Sequence, residues 1–262
     1  MVDAVRKNLI CWAEKYNHPD FIEQDPIRFP HRYTRKQDIE ISGFVTAWIS
    51  YGRRSLILKK AEELHALWKE NPYHWVMQDE KTRIRSCDRL RQKTTERDTC
   101  YRFYTYTDFF DLIERLHQIY IQYDSLEEAL AATPGDTTIR RIQSLFSGVK
   151  GIPSLHSSSA CKRLAMFLRW MIRNDGIVDL GIWNTCFSPR ELLMPLDTHV
   201  FRVSRELGLI THKTPGMAAA IELTENIKTI FPEDPCLADF SLFGYGINEN
   251  NTEEKSPLNF YF

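Results

Sequence analysis

Pro195-Leu196-Asp197-Thr198-His199-Val200-Phe201-Arg202-Val203-Ser204-Arg205-Glu206-Leu207-Gly208-Leu209 reads as a short helix with an acidic residue at its mouth. Pro195 cannot continue a preceding helix and biases Met194 toward extended geometry. Asp197 is a strong N-cap: its carboxylate can accept from the free N–H groups of the first turn, and the positive end of the helix dipole favours its charge. Val200, Val203 and Leu207 fall at i, i+3 and i+7 and make one apolar face. Gly208 supplies the stop. Taken by itself, this spacing makes Asp197 a structural cap.

The chain of 262 residues is long enough for one large domain or two small ones. Its balance of 43% hydrophobic and 26% charged residues is that of a soluble globular protein. Arg6, Lys7, Glu14 and Lys15 interrupt any apolar leader, and the most apolar window, Ile41 to Tyr51, is too short to span a bilayer. A cytoplasmic protein is the expectation. No two of the six cysteines lie within three or four residues of each other, which excludes a zinc ribbon and the usual iron–sulfur spacing. Neither a metal nor a cofactor is expected. The net charge of −1 argues against a basic chain overall, but the distribution is polarised. Thr137 to Asn174 contains no acidic residue and carries Arg140, Arg141, Lys150, Lys162, Arg163, Arg169 and Arg173. Such a stretch can present a basic face to phosphate, although scattered surface cations are common.

Apolar periodicity predicts helices over most of the chain. Residues 1–17 are amphipathic, and 18–35, with three prolines, read as loop. Lys36 to Tyr51 is apolar enough for a buried helix, and Ser55 to Lys69 follows after Gly52-Arg53-Arg54. Residues 80–106 are basic and end in Tyr101, Phe103, Tyr104 and Tyr106, which suit either stacking on nucleotides or the core. Asp108 to Tyr123 is amphipathic, Ser125-x-x-Glu128 is a capping box, and Thr137 to Phe146 is another helix. A small-residue loop, Gly151 to Ser159, leads into a helix over 160–173 with Leu164, Phe167, Leu168 and Met171 buried. Lys162, Met166, Arg169 and Arg173 line a second stripe on it, placing three cations on one side after a loop whose N–H groups could hold a phosphate. Helices over Gly216 to Ile230 and from Asp234 through Leu242 complete an all-α chain, with 247–262 as a polar tail.

The Pro-Leu-Asp-Thr-His-Val-Phe-Arg-Val run resembles the signature of the helix-hairpin-helix DNA glycosylases, the superfamily of endonuclease III. With the Lys-Arg-Leu-x-Met-Phe-Leu-Arg-Trp-Met run it looks like an uncharacterised bacterial branch lacking the iron–sulfur cluster. The resemblance implies two helical lobes with a DNA-binding cleft between them: an interior lobe at 35–185, and a second lobe made of 1–34 and 186–246. It makes Asp197 the catalytic carboxylate and Lys162 the nucleophile. It places Ser157, Ser158 and Ser159 at the DNA-binding hairpin, where the family has Leu-Pro-Gly-Val-Gly. Asp175 to Arg190 looks like an insertion. Arg53 or Arg54 would stand where the first helical hairpin reaches the DNA, although a surface charge at a helix turn is the more ordinary reading. Arg163, Arg169 and Arg173 would add backbone contacts.

The expected activity is base excision: cleavage of the N-glycosidic bond of a flipped damaged base in double-stranded DNA, with abasic-site lyase chemistry through Lys162. Asp197 would stabilise the oxocarbenium-like sugar, and Lys162, with a lowered pKa, would attack C1′. The alternative is a nucleic-acid-binding protein without catalysis. A helical protein-interaction module is a third reading, with little salt-dependent DNA affinity.

Overall fold

In the computed structural model, residues 2–91 and 99–248 are described. Lys93, Glu96, Arg97 and Asp98 of the basic stretch, and residues 249–262 of the expected tail, lie outside them. The described chain is mainly helical, as the periodicity predicts. In order it runs α1 (Val2–Tyr16), α2 (Asp20–Gln24), two 3-10 turns (Pro26–Arg28 and Pro30–Arg32), α3 (Lys36–Ile49), α4 (Arg54–His65), α5 (Pro72–Val76) and α6 (Glu80–Arg91). An antiparallel ribbon follows, β1 (Thr99–Tyr101) with β2 (Tyr104–Thr105). Then come α7 (Tyr106–Gln122), α8 (Leu126–Ala132), α9 (Thr138–Leu145), α10 (Lys162–Ile172), α11 (Thr198–Glu206), α12 (Met217–Lys228) and α13 (Leu237–Asn248). Among the described residues no helix is long and apolar enough to cross a membrane.

The core is organised on α3, buried from Asp38 through Ile49. A helix apolar on every side must be wrapped by others, and α3 packs on α4, α5 and α10. Gly43 is where α10 comes closest, since a Cβ there would meet Met171 and Phe167. Phe44 stacks on Phe146 at 3.9 Å and meets Phe167 edge-on at 5.0 Å, contacts worth about 1 kcal/mol beyond their buried area. On the other side, α13 packs on α1 and α11. Both groups share one connected hydrophobic core.

Two buried carboxylates fasten the expected insertion. Glu40 accepts hydrogen bonds from Tyr120 Oη (2.8 Å), Trp183 Nε1 (2.6 Å) and the Leu126 N–H (3.0 Å), and burial pushes it above the usual carboxylate range. Glu127 accepts from the Thr185 and Cys186 N–H groups and pairs with Lys36. Ser125 caps α8 through the Glu128 N–H, while Glu128 reaches back to the Asp124 N–H rather than closing the expected box on Ser125. Complete capping boxes stand instead at Thr105 and Asp108, at the start of α7, and at Ser188 and Glu191, on a 3-10 turn at Pro189–Glu191.

Candidate active site

Cys161, in the left-handed region at φ 51°, turns the chain into α10, so that Lys162 is its first helical residue. Asp197 caps α11 as the sequence predicts: Oδ1 accepts the Val200 N–H at 2.8 Å. Oδ2 remains for a second partner and lies 3.9 Å from Lys162 Nζ. The lysine side chain is 37% exposed and the carboxylate 15%. Two helix N-termini far apart in sequence therefore bring together an amine and a carboxylate.

Both residues line a cleft of about 1030 Å³. Its apolar wall includes Phe44, Trp48, Ile57, Met166 and Phe243, and its polar rim includes Asp25, Arg54, Ser159 and His199. Arg54 lies over the Phe243 ring at 5.6 Å, and His199 meets that ring edge-on at 6.4 Å. An apolar slot with a few convergent polar groups is the usual form of a small-ligand site. Burial pushes the Cys161 thiol up to about 11, so this cleft cysteine is not a thiolate nucleophile.

The other expected site residues part company here. Arg163 donates to Gly151 O (2.7 Å), Trp48 O and Tyr104 Oη, which ties α10 to α3 and the ribbon. Arg169 and Arg173 do not continue a cationic face. Both are buried, Arg169 between Asp179 and Asp239, Arg173 among Asp175, Asp179 and Asp234. The stripe expected to face DNA beyond Lys162 is thus a closed ionic layer, because each of these guanidinium groups already has its carboxylates. The serine loop is also partly self-satisfied. Ser157 Oγ accepts the Ser159 N–H at 3.1 Å, Ser159 Oγ accepts the Cys161 N–H at 3.2 Å, and Ser158 O accepts the Met217 N–H at 2.8 Å. Of the loop amides expected to meet phosphate, Ser159 and Ser157, which donates to Ser154 O at 3.0 Å, are therefore engaged. Arg53 is exposed beside Gly52, and Arg54 turns into the cleft.

Among the aromatics left open by sequence, Tyr101, Tyr104 and Tyr106 belong to the core, and Phe103 is exposed, edge-on to exposed Tyr51 at 5.3 Å. Sequence reasoning missed Asp25 and Asp239. Asp239 is buried against Arg169, and burial, opposed by that guanidinium, pushes its carboxyl up to about 6. Asp25 lines the cleft itself and is likewise pushed up by burial. Among the described residues no group of three His, Cys, Asp or Glu side chains could hold a metal ion.

The stretch from Asp25 to the end of α13 decides the family. The chain belongs to the family described as "Protein of unknown function (DUF2400)", which matches residues 25–248. This corrects the expected membership of the helix-hairpin-helix DNA glycosylase superfamily, to which nothing in the comparisons points. The short Pro-Leu-Asp-Thr-His run is satisfied by what any proline-preceded, Asp-capped helix requires, and the Ser-rich loop lacks the family's hairpin. No curated protein and no solved structure matches the chain. The DUF2400 match takes in every cleft-lining residue, from Asp25 to Phe243.

Proposed function

We propose that the cleft cleaves an N-glycosidic bond of a nucleotide extruded from double-stranded DNA, with Lys162 as nucleophile and Asp197 as the carboxylate that stabilises the sugar. The observation that carries this reading is the Lys162–Asp197 approach of 3.9 Å at the mouth of an apolar, aromatic-walled cleft. Breaking such a bond builds positive charge on the sugar ring, and a fixed anion lowers that barrier. Asp197 is fixed by its cap bond and presents its other oxygen. Once Lys162 has lost a proton to water, its amine can bond C1′ while Asp197 remains the anion, and the resulting imine permits strand cleavage. The slot would take a planar base, while Arg53, exposed between the cleft residues Gly52 and Arg54, would meet backbone phosphate. In this reading α1, α11 and α13 form one lobe, and the helices around α3 and α10 the other.

The test is borohydride trapping on a duplex with an abasic site. Wild type gives a covalent adduct and Lys162→Ala gives none. Wild type without an adduct sinks the nucleophile role. A binding-only protein has one observation in its favour: Asp197 already serves as an N-cap. In that case Asp197→Asn leaves salt-sensitive duplex affinity in place and wild type shows no turnover.

A further inference from the structure

Lys162 and Asp197 leave one carboxylate of the cleft unused. Asp25 caps the 3-10 turn Pro26–Arg28, with Oδ1 accepting the Ile27 N–H at 3.1 Å. Among the described residues its side chain makes no other hydrogen bond and no ion pair. The residue is only 8% exposed, yet it lines the same cleft as Lys162, Asp197 and Arg54. Its second oxygen is not among the fully buried polar atoms that lack a partner, so it is reached from the cleft that Asp25 lines. A ligand in that cleft can therefore meet this oxygen directly.

The charges acting on it come from two helices, Arg54 on α4 and Lys162 and Arg169 on α10. All three favour the anion, but desolvation outweighs them and moves the carboxyl upward. Arg169 is already balanced by Asp179 and Asp239. Asp197 sits differently, at the N-terminus of α11, where Oδ1 caps the helix, with Oδ2 3.9 Å from Lys162 Nζ. The two carboxylates of one cleft thus stand in different surroundings, Asp25 buried with a single hydrogen bond and Asp197 capping a helix beside an amine.

We propose that Asp25 is a second catalytic carboxyl group, which donates its proton to the base that leaves. This rests on the glycosidic reading above. The C1′–N bond breaks with its electron pair going to the base, and the Asp25 proton joins that base. The Lys162 lone pair forms the new C1′–N bond, and the Asp25 carboxylate then recovers a proton from the substituted Lys162 nitrogen. The substrate class is accordingly a base that must be protonated to depart, held with its ring against Phe44 and Trp48.

Asp25→Asn tests it, because an Asn side-chain carbonyl keeps the Ile27 cap. Two readouts are compared: adduct formation on a duplex with an abasic site, where no base leaves, and base release from duplexes containing uracil, hypoxanthine or 8-oxoguanine. Asp25→Asn is expected to lower base release about 100-fold, the size of a lost general acid, and to lower adduct formation far less. Wild-type release should fall as pH rises through the Asp25 titration, and the variant should lose that limb. Asp25→Ser, which also caps, should show the same differential. Equal losses in both readouts, or an unchanged pH profile, overturn the role of Asp25 while leaving Lys162 standing. Wild type that forms no adduct sinks the glycosidic reading itself, and an adduct without release of any of the three bases overturns the leaving-group role.

Discussion

Lys162 and Arg169 stand seven residues apart on one face of α10, two turns of the same helix, and do opposite things. At the N-terminal end Lys162 is more than a third exposed, faces one carboxylate at 3.9 Å, and opens on a cleft. Further along, Arg169 and Arg173 are buried among four carboxylates. The first arrangement leaves a charge available; the second uses charge to lock α10 to the 173–179 loop and α13. Periodicity reports which residues share a face, not what covers it. Here the cover is acidic, delivered by residues that follow in sequence.

The comparison breaks most visibly at Arg169. Arg169→Met leaves Asp179 and Asp239 buried without their shared partner, and removing one member of a buried ionic cluster costs about 3–5 kcal/mol. Urea denaturation should show that loss. A change below about 1 kcal/mol would mean that the layer is not a structural lock. Replacing Asp179 and Asp239 by apolar residues together with Arg169 should recover much of the loss, because the desolvation penalty then disappears as well.

A smaller effect lies in the pH dependence of the same layer. Burial raises the Asp239 carboxyl from its ordinary 3.8 to about 6, with Asp197 adding to the rise and Arg169 and Lys162 opposing it. The folded protein therefore binds this proton more tightly than the unfolded chain. Its contribution is fully present below about pH 3.8 and is lost as pH rises through about 6. His65, bonded to Ser42 and Ala61 O, works the other way: burial lowers it to about 4, so its contribution is lost as pH falls below 6.5. The wild-type curve sums these two with the other shifted groups, Asp25, Glu40 and Asp179 among them. The difference between Asp239→Asn and wild type isolates one, and it should change across pH 4–6 and stay flat above 7. A difference that is flat throughout would show that Asp239 is ionised over that whole range.

Much of the scaffold was legible. The buried α3, the amphipathic α7, the Asp197 cap and the buried face of α10 follow from apolar spacing and cap chemistry, which are local, whereas α10 starts two residues later than its spacing suggests, after Cys161 in the left-handed region. Partnership across long sequence separations was not. Nothing near Glu40 indicates that it will meet Trp183, and nothing near Arg169 indicates Asp239. The 18–35 segment was read as loop because its three prolines break long helices, yet they start short turns that place Asp25 in the cleft. The signal available was Asp25-Pro26 itself, a capping residue before an N1 proline. In the serine loop, too, the hydroxyls of Ser157 and Ser159 accept from nearby amides, a pairing that composition alone does not reveal.

The smallest effect belongs to Lys162. Lys162→Met keeps the length of the side chain and removes only the charge. The ion pair with Asp197 is loose and partly in water, and such pairs contribute about 0–1 kcal/mol. Asp197 keeps its cap bond to Val200 in the variant, so α11 still starts where it did. Stability in urea should therefore stay within about 1 kcal/mol of wild type, or rise slightly as the methionine packs on Phe243 and the other apolar residues of the cleft wall. A loss approaching that of Arg169→Met would place Lys162 in the same structural layer and remove the contrast on which its chemical role depends. A neutral variant that also forms no adduct would separate function from stability along a single helix.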